Sequence, residues 1–266
     1  MNALPEPPEL LRVANVRGGY RHHSVFSGID FKVGRGITAL LGPNGAGKST
    51  LLSWIASAGR AVPKVKGQIS LSGRPIRGTR DRDWFATQVA FMPQTWTAVP
   101  GFTARETVQY AAWLKRGDSS KEAASRALAL VGLQDRSADK CSRLSGGMRQ
   151  RVGIAECLVT SPAVIILDEP TVGLDPEQVV DLRRLLNQLG GDRSIVMSTH
   201  LMSDAEMADN VCIISGGELL FDGSVESLRQ AGLRHPDHAE FAAGGSLSEA
   251  GYLAVLRSHE GARVTS

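Results

Sequence analysis

The sequence predicts an α/β protein. It has a mixed, mainly parallel sheet with helices on it, an antiparallel strand unit ahead of it and a helical unit inserted within it. Three observations carry this. Short apolar runs at residues 37–41, 89–92, 164–167 and 194–198 are separated by segments of helical pattern, the alternation that builds a largely parallel sheet. A glycine-rich loop joins the first run directly to an apolar helical segment, residues 51–58. The stretch 103–139 then changes character and reads as helical throughout.

The elements follow in chain order. Residues 1–8 are Pro-rich and polar, and a loose leader is expected through residue 10. From 11 to 36, short apolar stretches alternate with Gly and polar residues, as in edge strands arranged like a hairpin. Thr103 and Glu106 have the spacing of a capping box, and Ser119 and Glu122 repeat it. Between them Val108, Ala111, Ala112, Leu114 and Lys115 fit one amphipathic helix. Asp175, Pro176 and Gln178 supply an N-cap, a proline at the first helical position and a capping partner, so a helix is expected through about Leu189. Ser203 and Glu206 are placed to cap a short helix. Residues 211–214, Gly216-Gly217 and 219–221 read as a β-hairpin. Beyond about Leu233, Ser246 and Glu249 cap a last helix carrying Leu253 and Leu256.

Bulk properties exclude several classes. The formal net charge of the 266 residues is +3, with no basic run, so no nucleic-acid partner is expected. Cys141, Cys157 and Cys212 are far apart and lack a metal-ligand spacing, as expected of reduced thiols. No secretory signal is visible at residues 1–10, and no apolar run approaches the roughly 20 residues that span a bilayer. Passage across a membrane would have to come from another polypeptide.

The loop Gly42-Pro43-Asn44-Gly45-Ala46-Gly47-Lys48-Ser49, followed by Thr50, fits GxxxxGK[ST] at every fixed position, after a strand and before a helix. Glycines let the backbone wrap a phosphate and aim successive N–H groups at it, and the helix adds its positive N-terminal end. Lys48 offers a point charge to the β- and γ-phosphates, and Ser49 a hydroxyl to Mg²⁺. Further along, residues 164–167 run into Asp168 and Glu169. One carboxylate at a strand end can hold Mg²⁺ through water, the role expected of Asp168. The second, Glu169, can orient or deprotonate an attacking water. A second anion site is expected where Leu144-Ser145-Gly146-Gly147-Met148-Arg149-Gln150-Arg151 opens an apolar helix. Two phosphate-binding helix starts far apart in sequence suggest a dimer that sandwiches its nucleotide.

Together these residues resemble the nucleotide-binding domain of ABC ATPases, over about residues 11–228. The resemblance implies the P-loop NTPase fold of that family, with a helical subdomain at about 98–155 and a C-terminal extension at 229–266. Residues 42–50 resemble its Walker A, 144–151 its signature, and 167–170 the end of its Walker B, with Glu169 where the catalytic glutamate stands. Gln94 resembles the Q-loop glutamine, which touches metal or water. Asp175, in Gly173-Leu174-Asp175, resembles the D-loop. His200 resembles the switch histidine that contacts the γ-phosphate, and Tyr20 the aromatic that stacks on adenine.

The implied cofactors are ATP and Mg²⁺. The implied assembly is a dimer of identical subunits, each ATP lying between Lys48 and Ser49 of one copy and Ser145, Gly146 and Gly147 of the other. The implied partner is an integral membrane permease, with the ATPase cytoplasmic on the inner face of the membrane. Met148, Gly173-Leu174-Asp175 and the run 112–115 resemble ATPases of drug and lantibiotic exporters. An importer ATPase, and a non-transport member acting on ribosome or DNA, are the alternatives.

Overall fold

The computed structural model describes residues 9–20, 23–62, 64–115, 117–237 and 245–264. A four-stranded antiparallel sheet comes from β1 (Leu11–Tyr20), β2 (His23–Val33), β4 (Lys66–Leu71) and the short β5 (Arg74–Pro75), in the order β2-β1-β4-β5. A six-stranded sheet has the order β10-β9-β3-β8-β7-β6. In it β3 (Gly36–Leu41), β8 (Ser194–Thr199), β7 (Val164–Asp168) and β6 (Val89–Met92) are parallel. β9 (Asn210–Ser215) is parallel to β3, and β10 (Glu218–Gly223) returns antiparallel as the expected hairpin.

Strand alternation sorts the central sheet onto two cores. Ile37, Ala39, Leu41, Ile165, Leu167, Ile195, Met197, Val211 and Ile213 face one cluster, which they share with the inserted helices. Leu40, Val164, Ile166, Val196, Cys212 and Ile214 face another, shared with the antiparallel sheet and with α1 (Lys48–Ala56). A period of two along buried parallel strands produces this division. It leaves the strand ends, where Leu41 and Asp168 finish, free to carry polar chemistry.

The helical unit holds α3 (Ala104–Leu114), α4 (Lys121–Leu130) and α5 (Gly146–Leu158). Thr103 caps α3 in a capping box with Glu106, as its spacing predicts. Four expectations are corrected. Ser120, not Ser119, caps α4, because its hydroxyl reaches the Ala123 N–H at 3.1 Å while Asp118 accepts the Ser120 N–H. Leu114 is exposed, since the face of α3 that packs inward carries Ala104, Thr107, Val108 and Ala112. In α7 (Met202–Ala205) Ser203 lies within the helix and accepts from Arg183, and Glu206 is the C-cap. A boundary at 228 falls inside α8 (Val225–Arg234), so the extension does not begin at an element end.

Three segments have no counterpart in the sequence-based expectation: the β4–β5 pair, α2 (Thr79–Gln88) and α8. The leader, expected to residue 10, ends sooner, because Leu10 donates to the Val33 carbonyl and accepts from Ser72. The last helix, α9 (Leu247–Val264), opens on the expected pairing of Ser246 with Glu249 and packs on α8. All three cysteines are free and buried. Among the described residues no helix is long and apolar enough to cross a membrane.

Candidate functional site

The phosphate loop leaves β3 at its C-terminal end and enters α1, so the first N–H groups of α1 face the loop. Gly47 has φ +95°, and a side chain there would press on Val25 and Phe26, so this position demands glycine. Lys48 is 5% exposed, and its ammonium donates to the carbonyls of Gly42 at 2.7 Å and Pro43 at 3.2 Å. Burial pushes its pKa down, against the opposing field of Glu169 and Asp168.

β7 ends at Asp168, and the chain then takes a left-handed turn at Glu169, φ +48°. That turn lets neighbouring carboxylates converge on one side instead of alternating across the sheet. Asp168 Oδ1 accepts from Ser49 at 3.0 Å and from Ser198 at 2.5 Å. Ser198 also accepts the Glu169 N–H at 2.9 Å, which holds the turn. Glu169 is 6% exposed. One of its oxygens stands 3.7 Å from Lys48 Nζ, the other 2.9 Å from His200 Nδ1. With Glu169 ionised, Nδ1 is the protonated ring nitrogen, because a carboxylate only accepts.

A cleft of about 500 Å³ opens over this cluster. Residues 44–50, Tyr20, Val25, Gln94 and Glu169 line it. Tyr20 is half exposed at the end of β1, a flat ring at the rim. The cleft therefore offers backbone donors and a cation at one end, an aromatic ring at the rim, and a carboxylate against the cation. The hydroxyl of Ser49 and the carboxylate of Asp168 are hard oxygen donors of the kind Mg²⁺ takes.

The structure does not bring every expected residue here. Ser145, Gly146 and Gly147 open α5 away from the cleft. Ser145 caps α5 by accepting from the Met148 N–H, and the Gly147 N–H is taken by Gln178. Asp175 precedes α6 (Pro176–Gly190) with Pro176 at its first position, as expected. Its carboxylate makes no cap bond, however, and accepts from the side-chain nitrogen of Gln178 instead.

Residues not anticipated from sequence complete the surroundings. Buried Asp204 accepts from Thr171, Thr199 and Arg183, tying the segment after Glu169 to the one before His200. Gln150 on α5 donates to the Pro170 carbonyl. Trp96, two residues after Gln94, donates to Glu156 on α5 at 2.7 Å. Two of these had a signal available: Gln150 lies within the run 144–151, and Ser198, which bonds Asp168, adjoins Thr199-His200.

Comparison with known proteins places the chain in a family. The family model described as "ABC transporter" matches residues 26–172, more than half of the chain. The chain belongs to the ABC transporter family. It is an ATP-binding subunit of that family and an ATPase. The linearmycin resistance ATP-binding protein of Bacillus subtilis is 33% identical over 229 residues, covering 82% of this chain and 70% of that protein. The Nod factor export ATP-binding protein I of Burkholderia orbicola is 36% identical over 226 residues, covering 80% and 70%. A solved ATP-binding subunit of an ABC transporter superposes with a TM-score of 0.74 at 30% identity, covering 93% of this chain and 99% of that one. A Clostridium perfringens subunit, part of an ABC transporter complex, gives 0.72 at 26% identity, covering 89% and 99%.

Proposed function

We propose that this ABC subunit hydrolyses ATP with Glu169 as general base and uses the energy to drive export through a separate membrane permease. One observation carries the catalytic assignment: the Glu169 carboxylate lies between the Lys48 ammonium and the His200 ring, at the floor of the cleft. A base there reaches a water beside the γ-phosphate that Lys48 holds. With Nδ1 donating to Glu169, the Nε2 of His200 is left to accept a hydrogen bond from that water. Tyr20 stacks on adenine, and residues 42–50 wrap the phosphates. Mg²⁺ supplies charge neutralisation at the β- and γ-oxygens when bound, with Ser49, Asp168 and Gln94 as its protein-side neighbours.

Ser145, Gly146, Gly147 and Asp175 stand apart from the cleft, which supports a homodimer in which each copy closes the other's site. Export is favoured by likeness to the linearmycin resistance and Nod factor export proteins. The permease would dock against the helical unit at about 98–155, and the subunit would sit cytoplasmic on the inner membrane face. The extension beyond the ATPase domain, expected at 229–266, would begin after α8 ends at Arg234.

Glu169→Gln tests the catalytic assignment. It should retain ATP binding and lose turnover by at least about 10²-fold, the lower end of a general-base contribution. Normal turnover would remove Glu169 from the role. Purifying the tagged chain from its native membranes tests the partner. A stoichiometric polytopic protein is expected, and one accompanied by a soluble binding protein would favour import.

A further inference from the structure

The signature start holds a contact that the sandwich cannot keep. Gly147 lies in the first turn of α5, where backbone N–H groups have no partner within the helix. Its N–H donates to Gln178 Oε1 at 3.0 Å, across 31 residues of chain. The Gln178 side chain lies flat on this glycine: a Cβ at Gly147 would meet its Oε1, Cδ and Cγ at 3.0, 3.1 and 3.2 Å. The other end of the same amide, Nε2, donates to Asp175 Oδ2 at 3.2 Å. One side chain thus bridges the signature glycine and the aspartate before α6.

We propose that Gln178 is an in-chain competitor for the signature amide, holding that donor until the γ-phosphate of a partner's ATP displaces it. The inference rests on the dimer reading above. An N–H aimed at an amide oxygen is not available to a phosphate oxygen from the same side. The charged phosphate is the stronger acceptor, so the exchange runs forward when ATP arrives on the partner subunit. Displacing Gln178 releases the Asp175 carboxylate in the same movement. The signature donor and Asp175 therefore become available together, and nucleotide-independent closure is opposed.

The test uses the full chain with Glu169→Gln, so that ATP persists, and measures monomer–dimer equilibrium by sedimentation with ATP and Mg²⁺. Adding Gln178→Ala removes the competitor and should tighten ATP-dependent dimerisation by about 2- to 12-fold, the span of one net hydrogen bond. Adding Gln178→Glu keeps an acceptor on the amide and sets its charge against the incoming phosphate, so dimerisation should weaken below the parent. Ala and Glu both suit the first turn of a helix. ATP affinity of the single chain, set at the phosphate loop, should stay that of the parent in both. A side chain that merely braced the signature would give loosening in both variants, and that result overturns the proposal, as does an unchanged equilibrium or an altered single-chain affinity. A Glu169→Gln parent that stays monomeric with ATP overturns the sandwich reading and this inference with it.

Discussion

The two glycine-rich helix starts, before α1 and before α5, share the same local chemistry and differ in what surrounds them. At α1, Lys48 is buried, the loop carbonyls fix its ammonium, and Asp168, Glu169, Ser198 and His200 close the floor. At α5, Ser145 is exposed and the available donor is held by a neutral amide of the same chain. The charged partners of the first start all come from its own chain. In the dimer proposed above, the complement of the second comes from the other copy. A glycine-rich helix start is therefore half a description; the elements packed against it decide whether it grips a ligand alone.

Three substitutions press on that contrast. The largest effect is expected from Lys48→Ala, which removes a charged, buried donor. ATP affinity of the single chain, measured by calorimetry, should fall by about 10- to 150-fold, equivalent to roughly 1.5–3 kcal/mol for a hydrogen bond to a charged group. Unchanged affinity would mean that the α1 start does not grip phosphate through this side chain. Ser145→Ala should act the opposite way round. Single-chain ATP affinity stays within about 2-fold, while turnover at concentrations permitting dimers drops roughly tenfold, from a lost cap and hydroxyl worth about 1–1.5 kcal/mol. A fall in single-chain affinity would erase the distinction between the sites.

The smallest effect concerns the strut behind α5. Burial raises Glu156 to about 7, with the Trp96 hydrogen bond and Lys115 opposing. Because its folded pKa lies above the unfolded value, Glu156 favours the folded state while protonated, and that contribution is lost as pH rises from about 4.5 through 7. Glu156→Gln keeps an acceptor for Trp96 without the charge. It should raise the melting temperature at pH 8 by about 2–6 °C, and by nothing measurable near pH 4, in a calorimetric pH series. An equal shift at both pH values would assign the effect to packing.

The α1 site was the legible one. Its parts lie in short runs, residues 42–50 and 168–169, where spacing alone fixes relative position. Parts of the α5 neighbourhood escaped. The Gln178 amide reads locally as a capping partner for Asp175, and it does bond that carboxylate, but its oxygen turns to Gly147. No sequence interval reports such a contact. α2 was invisible for another reason. Its run TRDRDWFATQ buries only Phe85, so it shows no apolar period, and it is held by Arg74, which pairs with Asp81 and lies over Trp84. At the α4 start, two adjacent serines compete as caps, and only Asp118 accepting from Ser120 decides between them. The central parallel strands suffered no such ambiguity, because residues 37–41, 164–167 and 194–198 are mostly apolar on both faces of a sheet covered on both sides.

The left-handed backbone at Glu169 has a consequence for anyone trying to harden this protein. A β-carbon at φ +48° is strained, and glycine would relieve that strain while losing the carboxylate that faces Lys48 and His200. The carboxylate also supplies the counter-charge of buried Lys48, and breaking a buried pair costs more than the strain returns. The position is therefore held by two opposed terms, and a stabilising change is better sought elsewhere in the chain.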